Sequence, residues 1–139
     1  HGQKIKQGNV YIAPGDLHLE VVHKNGALFC TLVDTPEVNR HKPSVDVLFD
    51  SLLDIASNAQ AILLTGMGQD GAKGMLRLKQ QGAKTIVQDK NSSLIWGMPG
   101  KAHAIDAHCV ALPLNDIAKS ILDHAALNRD GMKEAMYDY

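Results

Sequence analysis

Residues 61–75 of the chain read AILLTGMGQDGAKGM. The apolar run at their start is typical of a buried strand, and a helical pattern begins near Gly71, after a glycine-rich turn. A strand that leads through such a turn into a helix indicates a parallel α/β sheet. The turn also has the spacing G-x-G-x-x-G, which is typical of loops that bind dinucleotide phosphates. The sequence therefore raises the question of whether this loop holds a nucleotide or presents the carboxylate of Asp70.

The alternation of strand and helix continues along the rest of the chain. Strands are predicted at residues 60–66, 84–89 and 109–114, and helices at residues 71–81, 92–105 and 115–127, with Gly82 as a stop and Asn115 or Asp116 as a cap. Nearly continuous apolar strands between helices are typical of a parallel sheet covered on both faces. We therefore predict an α/β fold, a three-layer Rossmann-like parallel sheet with helices on both faces. Ligands of such sheets bind at the carboxyl ends of the strands. The candidate binding loops are therefore residues 65–71, residues 88–93 and the turn at Pro113.

An antiparallel β-hairpin is predicted near the N-terminus. Asn25 and Gly26 form a favoured hairpin turn between the alternating segments 17–22 and 27–33. The β-branched and aromatic residues 10–12 predict a short strand ahead of this hairpin.

The length of 139 residues suffices for one ordinary domain. We assign residues 1–127 to that domain and residues 128–139 to a polar C-terminal tail, which we expect to be frayed or disordered. Between the hairpin and the central strand, residues 44–57 have helical spacing, with Ser44 as the predicted N-cap.

Composition narrows the class of protein. Hydrophobic residues make up 45% of the chain, so it can bury a core, and a formal net charge of -1 argues against binding of nucleic acid. The chain has neither an apolar run of about eighteen residues nor a leader pattern, so we expect a cytoplasmic protein without a membrane span. Cys30 and Cys109 are isolated, and we expect two buried, reduced thiols. The histidines have no metal-binding spacing, so neither a metal site nor a cofactor is predicted.

The glycine loop is compatible with a nucleotide site, in which Gly66, Gly68 and Gly71 would form the turn and Asp89 would bind a ribose. Asp70 opposes this hypothesis because its charge lies where the phosphates would bind. Two unit charges about 4 Å apart repel by roughly 4 kcal/mol at an intermediate dielectric.

Two other interpretations keep Asp70 at the centre. As a purely structural residue, it would cap the N-terminus of the following helix, a contribution of about 1 kcal/mol. As a functional residue, it would project from a tight turn and orient a histidine, as the third member of a nucleophile–base–acid triad. The same glycines would leave backbone N–H groups near Met67 and Gly68 free to bind a developing oxyanion.

Four segments together resemble one known family. Residues 8–21, 42–52, 61–75 and 87–102 are similar, in order and spacing, to the catalytic domain of the chemotaxis protein-glutamate methylesterase/glutaminase (CheB type). The resemblance extends from about Gly8 to about Leu122. It implies a hydrolase, a serine carboxylesterase that cleaves glutamate methyl esters and deamidates glutamines on methyl-accepting chemotaxis receptors, in signal transduction. Asp70 matches the triad acid of this family. Met67 matches a residue whose backbone shapes the oxyanion site, in the loop that includes Gly66 and Gly68.

The chain departs from the family pattern at its beginning. The nucleophilic serine and the histidine of the family precede the segment that matches residues 10–16, and the receiver domain lies further upstream. We therefore expect a partial catalytic domain that contributes Asp70, is inactive alone, and has chemoreceptors and the receiver domain of its parent chain as partners. Exposed strand edges lead us to expect that the isolated chain self-associates.

Other interpretations remain open at this stage. Ser92, Ser93, His18 and His41 lie in or next to loops, but none lies in a glycine-rich elbow, and we do not expect them to replace the missing triad members. Trp96 and Met98 are candidates for lining a substrate groove, while core packing is the plainer explanation for both. The alternative functions are a non-catalytic receptor-binding module and a nucleotide-binding Rossmann domain.

Overall fold

The computed structural model describes the backbone of residues 1–137 and the side chains of residues 1–127. Strands and helices alternate as predicted from residue 60 onward. In chain order the elements are β1 (His18–Lys24), β2 (Ala27–Val33), α1 (Val45–Asp50), a 3₁₀ helix (Leu53–Asn58), β3 (Gln60–Leu63), α2 (Ala72–Gln80), β4 (Lys84–Gln88), α3 (Met98–Ala104), β5 (Val110–Leu112) and α4 (Leu114–Tyr137).

Strands β3, β4 and β5 form a parallel sheet in sequential order. Residues 85–88 of the central strand β4 are all buried, with Ile86 and Val87 at 0% exposure. Because successive side chains of a strand point to opposite faces, burial of both neighbours means that both faces are covered. Helices α2 and α3 pack against each other and against β4, and α4 also contacts β4. The predicted α/β fold with a covered parallel sheet is therefore confirmed.

The hairpin of β1 and β2 is a separate two-stranded sheet. Asn25 and Gly26 have φ values of 52° and 76°, as a primed turn requires, so the predicted hairpin is confirmed. The strand predicted at residues 10–12 is wrong. Residues 2–5, rather than residues 10–12, occupy the neighbouring edge of β2, through backbone hydrogen bonds to Leu28 and Cys30.

Three of the predicted helices differ in their bounds. The helix predicted over residues 92–105 begins only at Met98, because residues 92–97 form the loop that bonds to the glycine-rich turn through Ile95 and Gly97. The helix predicted over residues 44–57 ends at Asp50, because the Ser51 hydroxyl donates to the Leu48 carbonyl (2.6 Å) and a 3₁₀ helix follows. Helix α4 begins at Leu114, ahead of both predicted caps, and its backbone stays helical to Tyr137. The predicted tail thus contains helical backbone over residues 128–137, whereas residues 138–139 and all tail side chains lie outside the described residues.

The core lies between α2 and the parallel sheet. Met75 and Leu78 of α2 are fully buried and pack with Val87 of β4 in one aliphatic cluster. Gly82 stops α2 as predicted, because its φ of 97° lets the Ala83 N–H reach back to the Leu78 carbonyl at 3.0 Å. This packing holds the carboxyl ends of β3 and β4 side by side, where the site lies.

The two cysteines differ in exposure. Cys30 is buried, as expected, but Cys109 is exposed because it lies in the turn before β5 rather than in the core. Within the described part of the chain, no helix is long and apolar enough to span a membrane.

Candidate active site

The glycine-rich loop after β3 is fixed to the loop after β4. The Gly66 N–H donates to the Ile95 carbonyl at 3.0 Å, and the Gly66 carbonyl accepts from the N–H groups of Gly97 (3.1 Å) and Met98 (2.9 Å). The Thr65 hydroxyl donates to the same Ile95 carbonyl at 2.8 Å. These bonds connect two loops that are thirty residues apart in sequence, as expected for the carboxyl edge of a parallel sheet.

Close backbone approach explains the glycines at this junction. A Cβ atom on Gly97 would lie 2.6 Å from the Gly66 carbonyl oxygen and 3.0 Å from the Gly68 nitrogen. A Cβ atom on Gly66 would lie 2.8 Å from the Met98 sulfur. The close contact between the two loops therefore explains both glycines, without a bound phosphate.

Trp96 and Met98 lie beneath this junction. The Trp96 ring covers Gly100, and its Nε1–H donates to the Gln88 carbonyl at 3.0 Å. Met98 begins α3 and packs against the hydrophobic core. Both side chains are half-buried and neither lines the pocket beside the glycine loop. Their suggested role in a substrate groove stays a prediction.

The tip of the loop presents free backbone donors. Unlike Gly66, neither Met67 nor Gly68 donates its N–H to any group among residues 1–127. Gly68 has a φ of 91°, and Met67 is 72% exposed. Adjacent backbone N–H groups without an acceptor in an exposed turn favour negative charge nearby.

Asp70 points inward from the same turn and is only 1% exposed. Its Oδ1 accepts hydrogen bonds from the Ser44 hydroxyl (2.8 Å), the Asn39 amide (2.9 Å) and the Asp46 N–H (3.3 Å). Its Oδ2 accepts from the Val45 N–H at 2.7 Å. The carboxylate thus holds the start of α1, a segment about twenty-five residues earlier in the chain.

The interpretation of Asp70 as the cap of α2 is wrong. The residue at the cap position of α2 is Gly71, with a φ of 91°, and no side chain caps that helix end. A Cβ atom on Gly71 would lie 2.8 Å from Leu63 and 2.9 Å from Val45. Gly71 packs closely against both side chains, and the carboxylate of the preceding Asp70 points away from α2 and toward the first turn of α1.

The environment of Asp70 favours its ionised form. Burial alone would raise the pKa of this carboxyl, but hydrogen bonds from Asn39, the Val45 N–H, the Ser44 hydroxyl and the Asp46 N–H together lower the pKa below its ordinary value of 3.8. A carboxylate has about four acceptor positions, and here Oδ1 carries three donors while Oδ2 carries one. Oδ2 therefore keeps capacity for one more donor.

Further polar groups hold the partners of Asp70 in place. The Asp46 carboxylate accepts from the Asn39 amide at 2.6 Å and from the Gly74 N–H at 2.7 Å. His18, fully buried at the start of β1, accepts the Ser44 N–H on Nδ1 at 3.1 Å. Its Nε2 therefore donates to the Pro36 carbonyl at 2.9 Å. Ser44 occupies the cap position of α1 as predicted, but its hydroxyl bonds Asp70 and not its own helix.

A pocket of about 550 Å³ lies between the glycine loop and the turn of residues 38–41. It is lined by Asn39, Arg40, His41, Met67, Gly68 and Gln69. The sequence does not predict Asn39 and Arg40 as site residues, and it predicts His41 only to lie in or next to a loop. The only feature of the local sequence that could have identified them is their position just before the segment KPSVD, which matches the family pattern.

The other residues considered from the sequence do not form a second triad. Ser92 donates its hydroxyl to Asp89 at 2.7 Å, and the Ser93 hydroxyl donates to the Asp89 carbonyl. Asp89 thus closes its own turn. Across residues 1–127, no histidine donates to Asp70, and no group of three or more His, Cys, Asp or Glu side chains is arranged to hold a metal ion.

The fold and the site define an α/β protein with an acid-presenting loop at the carboxyl edge of its sheet. The family model described as CheB methylesterase matches residues 1–121, and the chain belongs to that family. A protein-glutamate methylesterase/protein-glutamine glutaminase of Hahella chejuensis is 57% identical over 118 residues, which cover 84% of this chain and 33% of the relative. A similarly named protein of Saccharophagus degradans is 48% identical over 126 residues, which cover 90% of this chain and 36% of the relative.

The fold comparison agrees with these relatives. The crystal structure of the Thermotoga maritima CheB methylesterase catalytic domain matches with a TM-score of 0.85 and 36% identity, over 88% of this chain and 65% of that one. The chain spans about a third of the length of the curated relatives. Family membership does not favour the nucleotide-binding domain or the non-catalytic receptor-binding module.

Proposed function

We propose that this chain supplies the acid-bearing part of the catalytic domain of a protein-glutamate methylesterase/glutaminase. In this proposal Asp70 is the acid of a Ser-His-Asp triad. The serine and the histidine come from the part of the relatives' length that this chain does not span. The chain alone would be inactive, because an acid without nucleophile or base can neither attack an ester nor transfer its proton.

One observation carries the proposal: Asp70 is buried, its pKa is lowered, and it belongs to the same turn as Met67, Gly68 and Gln69, which line the pocket. A triad acid must stay charged to hold a histidine in its working tautomer and to stabilise the imidazolium that forms. The four donors around Asp70 keep it charged and fixed in orientation. The free capacity of Oδ2 allows one more donor, an imidazole N–H.

The reaction then follows the general logic of serine hydrolysis. The serine attacks the glutamyl ester carbonyl while the histidine takes its proton, methanol leaves, and water cleaves the acyl-enzyme. With a glutamine side chain, ammonia leaves in place of methanol. The N–H groups of Met67 and Gly68 are the candidate oxyanion donors of this chain, since the Gly66 N–H is already bonded to Ile95.

The proposal extends to partners and location. The substrates are methyl-accepting chemotaxis receptors, and the receiver domain of the same parent chain is the second partner. The protein acts in the cytoplasm as part of signal transduction. Membership of the CheB methylesterase family and the names of the relatives support chemotaxis receptors as substrates. The receiver domain and the cytoplasmic location follow from the family resemblance of the sequence.

Methanol release from methyl-esterified receptor membranes tests the proposal. The full-length protein that carries this chain is compared with its Asp70→Asn variant. We expect kcat to fall by roughly 10⁴-fold, the effect of the same change in a related triad. Full activity of a folded Asp70→Asn variant would contradict the proposed role.

Asp46→Asn is the matched control. Asp46 is also buried, at 6% exposure, and belongs to the same hydrogen-bond network, but its carboxylate bonds Asn39 and Gly74. A structural role of Asp70 predicts that both variants lose stability and activity together. The triad role predicts that, at temperatures where both variants are folded, Asp70→Asn loses far more kcat than Asp46→Asn.

A further inference from the structure

The turn that forms the second wall of the pocket has an unusual backbone. Val38 and His41 exchange both backbone hydrogen bonds at 3.0 Å, so Asn39 and Arg40 are the two central residues of a tight turn. Their φ values are 54° and 65°. Asparagine accepts such values readily, whereas the second position usually holds glycine because a side chain there is strained. Arginine at this position therefore invites a functional explanation.

The Arg40 guanidinium has no partner within the described part of the chain. It is exposed, and it makes neither an ion pair nor a hydrogen bond among residues 1–127. Arg77, the other arginine with a described side chain, binds Asp50 through two hydrogen bonds of 2.7 and 2.9 Å. Lys42, two residues further along the loop, pairs with Asp34. Arg40 is thus the cation of this loop that remains available to a ligand.

The pocket around Arg40 favours an anion. The residues that line it include Arg40 and His41 but no acidic side chain. Met67 and Gly68, with their free N–H groups, line the opposite wall. The turn is held in place because the Asn39 amide donates to both Asp70 and Asp46. The backbone of Arg40 is therefore held at the wall of the pocket that its side chain lines.

We propose that Arg40 forms a carboxylate-binding subsite, which selects substrate segments that carry an acidic residue close to the reacting glutamyl group. This inference rests on the proposed function for the identity of the reacting group. A pocket of 550 Å³ is about 10 Å across if it is treated as a sphere. Residues three or four apart on a helix lie about 5–6 Å apart, so a carboxylate within one helical turn of the reacting residue reaches Arg40. The planar guanidinium binds such a carboxylate through two parallel hydrogen bonds.

The test uses the full-length protein and two synthetic helical peptides, each with a single glutamate γ-methyl ester. In one peptide, the residues within one turn of the ester are glutamates, and in the other they are glutamines. We expect the wild-type protein to prefer the acidic peptide in kcat/KM by about fivefold, the effect of one well-formed exposed ion pair. Arg40→Gln should abolish that preference by raising KM for the acidic peptide alone, and added salt should reduce it.

Two further variants separate recognition from structure. Lys24→Gln removes an exposed positive charge from the hairpin, away from the lining of this pocket, and should keep the preference. Arg40→Gly removes the guanidinium but relieves the strained φ, so the melting temperature should rise by about 2 °C while the preference is lost. Equal preference in wild type and Arg40→Gln overturns the subsite. A melting temperature several degrees lower in Arg40→Gln also overturns it, because Arg40 would then pair within the parent protein.

Binding measurements keep the two proposals distinguishable. The same two peptides, with a γ-N-methylamide in place of the ester, are titrated with the wild-type protein and with Arg40→Gln, and binding is measured by fluorescence anisotropy. Binding that prefers the acidic peptide and depends on Arg40, without any ester hydrolysis by the wild type, would support the subsite and overturn the proposed function. Ester hydrolysis without a preference would support the proposed function and overturn the subsite.

Discussion

Replacement of Gly97 by alanine tests how tightly the two loops of the site are joined. The φ and ψ values of Gly97, -81° and -71°, suit alanine, so the cost of Gly97→Ala is steric. The added Cβ atom would lie 2.6 Å from the Gly66 carbonyl oxygen. To reach an ordinary contact of 3.4 Å, that oxygen must retreat by 3.4 minus 2.6, or 0.8 Å.

The magnitude follows from what this oxygen holds. The Gly66 carbonyl accepts from Gly97 at 3.1 Å and from Met98 at 2.9 Å, and a retreat of this size breaks or weakens both bonds. Each bond contributes about 1 kcal/mol, and overpacking costs about 1–3 kcal/mol. If both bonds are lost, we expect the free energy of unfolding to fall by roughly 3–5 kcal/mol, which lowers the melting temperature of the domain by about 8–15 °C.

Thermal unfolding of the full-length protein is monitored by the fluorescence of Trp96, which lies next to the substitution. Activity is measured separately as methanol release. Because Met67 follows Gly66, a shift of this size should also displace the candidate oxyanion donors and lower kcat by about 10²-fold. Gly15→Ala is the control, since a Cβ atom there meets nothing within 4 Å and its φ is outside the left-handed range. If Gly97→Ala melts within about 1 °C of wild type, the described contact between the loops is wrong.

Three further predictions concern the network, the core and the surface. Because the folded-state pKa of Asp70 is lowered, its carboxylate stabilises the fold above the unfolded-state pKa of about 3.9, and this contribution is lost as pH falls through the folded-state pKa. Urea unfolding should therefore show Asp70→Asn less stable than wild type from pH 5 to 8, with the difference shrinking below about pH 4. Thr85→Val should cost about 1–3 kcal/mol, because the buried hydroxyl donates to the Ala107 carbonyl (2.7 Å) and accepts the Cys109 N–H (2.9 Å), whereas Thr35→Val in an exposed loop should be neutral. The isolated 139-residue chain should self-associate in sedimentation velocity, since Val10 and Ile12 are each 88% exposed and Leu94 is 92% exposed.

Each of these has an outcome that would contradict it. A pH-independent difference between wild type and Asp70→Asn down to pH 3 would mean that Asp70 does not titrate below its ordinary pKa. Equal unfolding midpoints for Thr85→Val and Thr35→Val would show that the Thr85 hydroxyl adds nothing to the free energy of unfolding. A monomeric, sharply melting isolated chain would sink the expectation of self-association.

Local sequence determined the alternation of strands and helices. The apolar run 61–63 lies in the strand β3, with Ala61 and Leu63 buried, and Asn25-Gly26 selects a hairpin turn by its backbone preferences. These signals act over a few residues, so they can be read without knowing the fold. The same pattern located the glycine loop at the carboxyl edge of the sheet.

Tertiary structure decided where each polar group points and what it meets. Nothing near Asp70 in sequence shows that its carboxylate turns from α2 to α1, because the cause is the packing of Gly71 against Leu63 and Val45. The wall that carries Arg40 comes from a segment about thirty residues earlier in the chain. The strand predicted at residues 10–12 is absent and residues 2–5 pair with β2 instead, a choice of partner that local β-propensity does not show. Pairing, direction and burial depend on groups distant in the chain, and only the folded molecule brings those groups together.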